Sequence, residues 1–247
     1  MKIVALYSIK GGVGKTAASV NLSYLAAKCG YMSLLWDIDP QGASSYYFRI
    51  KPKLKGNIKK LITKSSTIEK NIKGTDFNML DLLPADFALR KVDILLNEIK
   101  KSKNVLKKTL SNSKDEYDFL FIDCPPGFTL LTENLLRVAD FVLVPLIPTI
   151  LSLRTYEMLS NYIHDEKLNK LKLFSFFSIV DRRKKMHKEI MADFMADRKN
   201  ILHNYIPYSS AVEKMGYHKT PVEVYGMNSV AAVAYRNLWN ELKDLLY

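Results

Sequence analysis

Two lysines, Lys10 and Lys15, stand five positions apart around Gly11, Gly12 and Gly14, directly behind the apolar run KIVALYS at 2–8. Glycines let a backbone curl without Cβ clashes. Successive N–H groups ahead of a helix then form a ready anion site. In such a loop Lys15 would reach the outer phosphates of a nucleotide, and the Thr16 hydroxyl would sit on Mg²⁺. Two acidic segments could complete the chemistry. LLWDIDPQGA carries Asp37 and Asp39, and FLFIDCPPG carries Asp123. Both follow apolar runs, so the acids fall at the carboxyl ends of strands, where open α/β sheets build their sites. Alternation points Asp37 and Asp39 the same way, and two carboxylates there can organise metal-bound waters and orient an attacking one. An Asp in the place of Asp123 holds a Mg²⁺-bound water in phosphate-loop proteins generally.

The elements that must position these residues follow from the apolar pattern. Runs at 2–8, 33–39, 77–84, 118–125, 140–148 and 171–180 are rich in Val, Ile, Leu and Phe with little alternation. Strands buried on both faces of a parallel sheet look like this. Helical patterns lie between them: Thr16–Cys29 closing at Gly30, a stripe from Val92 to Leu110, Ser152–His164 and Lys185–Met195. A last helix follows Ser229 as N-cap. Alternating βα units predict a doubly wound, mostly parallel α/β sheet flanked by helices. The chain reads as a single domain over 1–247, with the polar, lysine-rich stretch 51–76 as an insertion carrying short helices.

Composition narrows the class further. The 247 residues carry 37 Lys plus Arg against 25 Asp plus Glu, a net charge of +12. Between Arg49 and Lys114 stand 17 basic and 6 acidic residues, so nearly all the excess is local. Such a field draws polyanions or anionic membrane, although a lysine-rich solvated surface would read the same. Cys29 and Cys124 form no CxxC pair, which excludes a cysteine-built zinc or iron–sulfur site within one chain and points to a reducing compartment. Cys124 reads as a small buried residue. The start MKIVALYSIKGG is interrupted too soon for a signal peptide, and no apolar run nears the roughly 20 residues of a membrane span. A soluble, cytosolic protein is expected.

The usual phosphate-loop pattern, G-x-x-x-x-G-K-[ST], would need glycine at position 9, which is Ile9. What stands instead is Lys10-Gly11-Gly12-Val13-Gly14-Lys15-Thr16, or K-G-G-x-x-K-[ST], the deviant Walker A loop. Here the chain resembles the ParA/MinD family of phosphate-loop ATPases. Asp37-Ile38-Asp39-Pro40-Gln41-Gly42 resembles that family's D-x-D-P-Q-G, and Asp123-Cys124-Pro125-Pro126 its D-x-P-P. LLPADFAL, VPLIPTILSLRTYEML, NYIPYSSAVEKMGYHKTPVEVY and AVAYRNLWNEL extend the likeness in order over about residues 1–245.

The resemblance implies an ATP- and Mg²⁺-dependent hydrolase that forms a homodimer on ATP. Lys10, Lys15 and Asp39 would be catalytic, with Lys10 reaching across the interface to phosphates bound by the other subunit and Asp39 aligning the water. Residues 10–17, from Lys10 to Ala17, and Pro207 beside the adenine would bind nucleotide. Thr16, Asp37 and Asp123 would hold Mg²⁺, the two acids through water. The family often has a second hydroxyl after Thr16, where this chain has Ala17, and Arg after the late I-P pair, where it has Tyr208.

The resemblance further implies weak turnover stimulated by an adaptor, a ParB-like or other protein with a basic tail, and a cytoplasmic, nucleoid-associated life. ParA-like members ride non-specific DNA, whereas MinD-like members ride membrane through a basic C-terminal helix. The last helix here carries Arg236, Glu241, Lys243 and Asp244, which sum to zero, with Val230, Val233, Leu238, Leu242, Leu245 and Leu246 as its apolar side. Core packing is therefore expected over membrane anchoring. For DNA, Arg182, Arg183, Lys184, Lys185 and Lys188 form the leading patch, and Lys100, Lys103 and Lys107 share a helical face as a second. Two other readings remain: a MinD-like membrane positioner, and an ATP-dependent synthetase on the same scaffold.

Overall fold

The computed structural model describes residues 1–99, 102–110 and 116–246, so Lys100 of the lysine face lies outside it. The chain opens with strand β1 (Lys2–Leu6), helix α1 (Lys15–Lys28), β2 (Ser33–Asp37) and α2 (Ala43–Tyr47). Stretch 51–76 then forms α3 (Ile58–Thr63), α4 (Ser65–Glu69) and β3 (Lys73–Gly74). Next come β4 (Leu80–Leu83), α5 (Val92–Asn97), α6 (Val105–Leu110), β5 (Phe119–Asp123), α7 (Leu130–Val138) and β6 (Phe141–Leu146). Helix α8 (Ile150–Asp165), β7 (Lys172–Phe177) and α9 (Lys185–Ala196) come after these. The chain closes with α10 (Ser210–Glu213), α11 (Met215–His218), α12 (Val222–Tyr225) and α13 (Val230–Leu246).

Among the described residues, seven strands form one sheet in the order β3-β4-β2-β5-β1-β6-β7. All neighbours are parallel except β3, which runs antiparallel to β4 at the edge. The absence of alternation is explained directly: every residue of β2, β5 and β6 is buried, because helices cover both faces. One face packs Trp36, Tyr7 and Ile122 against α3, α4, α7 and α8; the other packs Leu35, Phe119 and Phe121 against α1 and α13.

Three expectations change on contact with tertiary structure. The stripe from Val92 to Leu110 is two short helices with 3₁₀ turns before each, and not one helix. The two-residue edge strand β3 carries too little pattern to be read from sequence. The buried side of α13 is Ala231, Ala232, Tyr235, Leu238, Trp239, Leu242 and Leu246, whereas Val230, Val233 and Leu245 are exposed. The spacing of three and four residues selects one stripe, and small alanines let the helix close on α1. Ser229 caps it, its hydroxyl accepting from Ala232 N at 3.2 Å. Trp239 meets Phe119 and Tyr31 edge-on, with ring centroids at 5.7 and 6.2 Å.

Strand register fixes where the acids meet. β2 and β5 pair so that Asp37 lies opposite Asp123, and Leu6 of β1 flanks Asp123 on the other side. Two acids far apart in sequence thereby end neighbouring strands at the same level.

Candidate active site

Strand β1 runs into the glycine loop, and α1 begins at Lys15. Its N-cap is Gly14, left-handed at φ 93°, with no side-chain cap and no acid in the first turn. Uncapped N–H groups and the positive end of the helix macrodipole therefore face the loop. A Cβ on Gly14 would sit 2.8 Å from Ser178 Oγ, so this position needs glycine for space as well as for φ.

Lys15 is buried, and its Nζ donates to Lys10 O at 3.2 Å. Burial holds its pKa below the ordinary lysine value, opposed by the charges of Asp123 and Asp39. Lys10 is only half-buried, and among the described residues its ammonium has no ion-pair or hydrogen-bond partner. The two lysines thus differ in kind: one is folded into the loop, the other is left at its rim.

Beneath the loop the two strand-end acids crowd together. Asp123 accepts from Ser19 Oγ at 3.3 Å, from Ser44 Oγ at 2.7 Å and from the Thr16 hydroxyl. Asp37 Oδ2 accepts from Ser45 N and Ser45 Oγ, both at 2.7 Å, while Oδ1 is buried with no partner among the described residues. Burial, followed by repulsion from Asp123, pushes Asp37 up to about 8. Burial likewise lifts Asp123 to about 6, against the lowering effect of Ser44 and Thr16. The pair titrates as a unit. A buried carboxylate oxygen without a donor, beside a second carboxylate and a threonine hydroxyl, is a donor set that a hard dication with its water shell fits.

Asp39 occupies different surroundings. β2 ends at Asp37, so alternation no longer applies two residues on. Asp39 is half-buried and closes the turn, accepting from Gln41 N at 2.9 Å, with Gly42 N donating to its carbonyl at 2.9 Å. Its charge is nonetheless felt by Asp37, Asp123 and Lys15. Ser44, Ser45 and Ser19 do not stand out in the sequence. The serine pair Ser44-Ser45 in the first turn of α2, separated from Gly42 by Ala43, is the available signal, since hydroxyls at a helix start tend to bond local partners.

Beside the loop lies a cavity of about 120 Å³, lined by Gly14, Ala17, Ser178, Ile179, Pro207 and Tyr208. Ala17 and Pro207 thus come together although 190 residues separate them in sequence. Pro207 is held by a parallel bridge to Val180, with Tyr208 N donating to Val180 O at 2.9 Å. Ile179 sits at φ 56°, a left-handed conformation that a β-branched residue rarely takes. Backbone strain of this kind concentrates at functional sites. The loop after Asp123 is tied to the same region: Tyr7 OH donates to Gly127 O at 2.8 Å, and Gly127 N donates to Ile9 O at 3.0 Å. Cys124 is buried and its thiol is pushed well up by burial.

The cationic segment 182–188 runs from the loop after β7 through the first turn of α9. Arg183 clamps Asp181 with two bonds of 3.0 Å, holding that carboxyl down at about 2. Arg182 lies over the Tyr205 ring at 5.4 Å, and Lys185 pairs with Glu189 at 3.3 Å. His187 turns inward, its Nδ1 accepting from Asp181 N at 3.2 Å. Lys184 and Lys188 stay exposed to solvent. Lysines in the first turn of a helix oppose the macrodipole, so α9 begins with a charge arrangement that its own stability does not favour.

A family model described as AAA domain matches residues 1–173. The chain is 30% identical over 247 residues to the sporulation initiation inhibitor protein Soj of Bacillus subtilis, covering 98% of each chain. It is 28% identical to the chromosome-partitioning ATPase Soj of Treponema pallidum, covering 98% of this chain and 96% of that one. Among solved structures it superimposes with a TM-score of 0.81 on cobyrinic acid a,c-diamide synthase from Mycobacterium smegmatis with bound ADP and magnesium, at 26% identity, covering 98% of this chain and 94% of that one.

Proposed function

Because the chain belongs to the AAA domain family, in its ParA/MinD group of phosphate-loop ATPases, we propose that it is a Mg²⁺-dependent ATPase of the partition type. It dimerises around ATP, binds DNA without sequence preference and positions a cargo. The observation that carries the chemistry is the juxtaposition of an uncapped α1 N-terminus, the buried Lys15 and the Asp37–Asp123 pair. Phosphates would replace the Lys10 carbonyl as the partner of Lys15, and the adenine would take the cavity beside Ala17 and Pro207. Thr16, Asp37 and Asp123 would hold Mg²⁺, which when bound neutralises phosphate charge. Asp39, on the rim, orients the attacking water.

Lys10 supports the dimer reading. Its carbonyl serves its own loop, while its ammonium is left without a partner among the described residues and at the surface. Phe128, Ile150 and Leu151 stand exposed at the same carboxyl end of the sheet, an apolar surround suited to a second copy. A cation delivered by the partner completes the site only on assembly, which couples turnover to dimerisation. An adaptor that stimulates turnover would act on the assembled form. Phosphate release and light scattering, with and without ATP, test this reading. ATP-dependent dimers and Mg²⁺-dependent turnover support it; a monomer under saturating Mg–ATP overturns it.

The likeness to the diamide synthase favours a second reading, an ATP-dependent amide-forming enzyme. Such an enzyme needs its carboxylate substrate to turn over, so steady hydrolysis with ATP alone separates the two. A membrane-riding role is less well supported: α13 gives its apolar stripe to the core, with Leu242 and Trp239 buried, and no helix among the described residues is long and apolar enough to cross a membrane.

A further inference from the structure

The second lysine patch of the sequence acquires another wall in the fold. Lys107 of α6 lines a cavity of about 350 Å³ together with Arg137 at the end of α7 and Lys167 and Lys170 on the turn between α8 and β7. Asn104 and Asn169 add amides to the rim. Residues from three separate stretches of chain therefore bring four cations to one concavity. The only acid directly engaged with these cations among the described residues is Glu166, which takes one nitrogen of Arg137. Arg137 Nε is buried and lacks an acceptor among the described residues, and Lys167 is held at φ 52°. Like charges gathered at this density cost energy unless an anion offsets them.

The location is informative. The lining residues precede β6 and β7, at the amino end of the sheet, whereas the phosphate loop lies at its carboxyl end. We infer that this pocket is a second anion site that grips a phosphate group, and that its occupant is a phosphodiester of the DNA backbone. The choice of DNA as occupant rests on the proposed function; the phosphate chemistry of the pocket does not. Dimerisation through the carboxyl ends would leave this site open, so a dimer would present two phosphate grips facing away from its interface.

Anisotropy of a labelled random-sequence duplex, measured with ATP from about 50 to 200 mM salt, tests the inference. The probe proteins are wild type and the double variant Lys167→Glu/Lys170→Glu. Both lysines are exposed, so folding is not at risk. Each lost phosphate contact lowers the salt slope by about 0.9, so the slope should fall by about 2 and affinity at least about tenfold. ATP turnover without DNA should stay unchanged. A variant that matches wild type in slope and affinity overturns the inference. If wild type binds no duplex, the DNA-riding role fails, and pyrophosphate titrated into the ADP-filled protein decides the pocket. Binding that the double variant loses keeps the site with a small phosphate ligand; no binding removes it.

Discussion

The two ends of the sheet solve opposite electrostatic problems. At the carboxyl end the charges under the phosphate loop, Lys15, Asp37 and Asp123, are almost wholly removed from water, apart from the exposed cations of 182–188 that follow β7. At the amino end Lys107, Lys167 and Lys170 are exposed, and like charge accumulates around Arg137. Burial magnifies every interaction, so the carboxyl end works through a few positioned groups whose protonation states are shifted. Exposure weakens them, so the amino end must work by number. The first arrangement suits chemistry on one phosphate. The second suits holding a polyanion whose sequence does not matter.

This contrast orders the expected effects of change. Replacing Lys15 by Ala should abolish turnover most completely, by about 100-fold or more, as loss of a preorganised donor to developing charge commonly does. Phosphate release under saturating Mg–ATP measures it, and retention of more than a tenth of the activity would contradict the buried-site reading. Lys10→Ala should come next. It should lower turnover at least about tenfold and abolish ATP-dependent dimers, while a single protomer still binds nucleotide. Sedimentation with and without ATP, beside a binding titration, separates the two effects.

Gly14→Ala should cost about 1–3 kcal/mol of stability, from left-handed strain and the Ser178 contact, and weaken nucleotide binding as well. Chemical denaturation gives the first number. The pH response of the metal-free protein should be smaller but diagnostic. Both strand-end acids titrate above their unfolded values, so the folded state binds more protons than the unfolded one in between. Stability should therefore fall as pH rises from about 4 toward about 8. Asp37→Asn should flatten that slope, and Mg–ADP should raise the melting temperature more at pH 8 than at pH 6. At the far end of the scale, Lys188→Ala should leave stability within about 0.5 kcal/mol and weaken DNA binding only severalfold.

Legibility in the sequence divides along the same line. The glycine loop, Lys15, Thr16 and the strand-end acids were legible because phosphate binding demands particular residue types at fixed local spacing. Six of the seven strands were visible for a related reason, since burial on both faces writes a run of apolar residues. Strand β3 was not, because two residues at an edge carry no pattern. The stripe of 92–110 hid a break, since apolar spacing persists across two short helices. Asp39 was grouped with Asp37 by alternation, and that rule lapsed where the strand stopped.

The sequence by itself determined the local machinery: a backbone able to wrap phosphate, a cation to meet it, and apolar strands to carry acids to the sheet's edge. Only the tertiary structure decided which groups share one environment. Strand register set Asp37 against Asp123 and left one oxygen without a donor among the described residues. Chain crossing brought Pro207 to Ala17, and Lys107 to Lys167. Local interactions repeat with the period of a helix or strand and so are written in order along the chain. Contacts between distant segments depend on how whole elements pack, and only the assembled core specifies that.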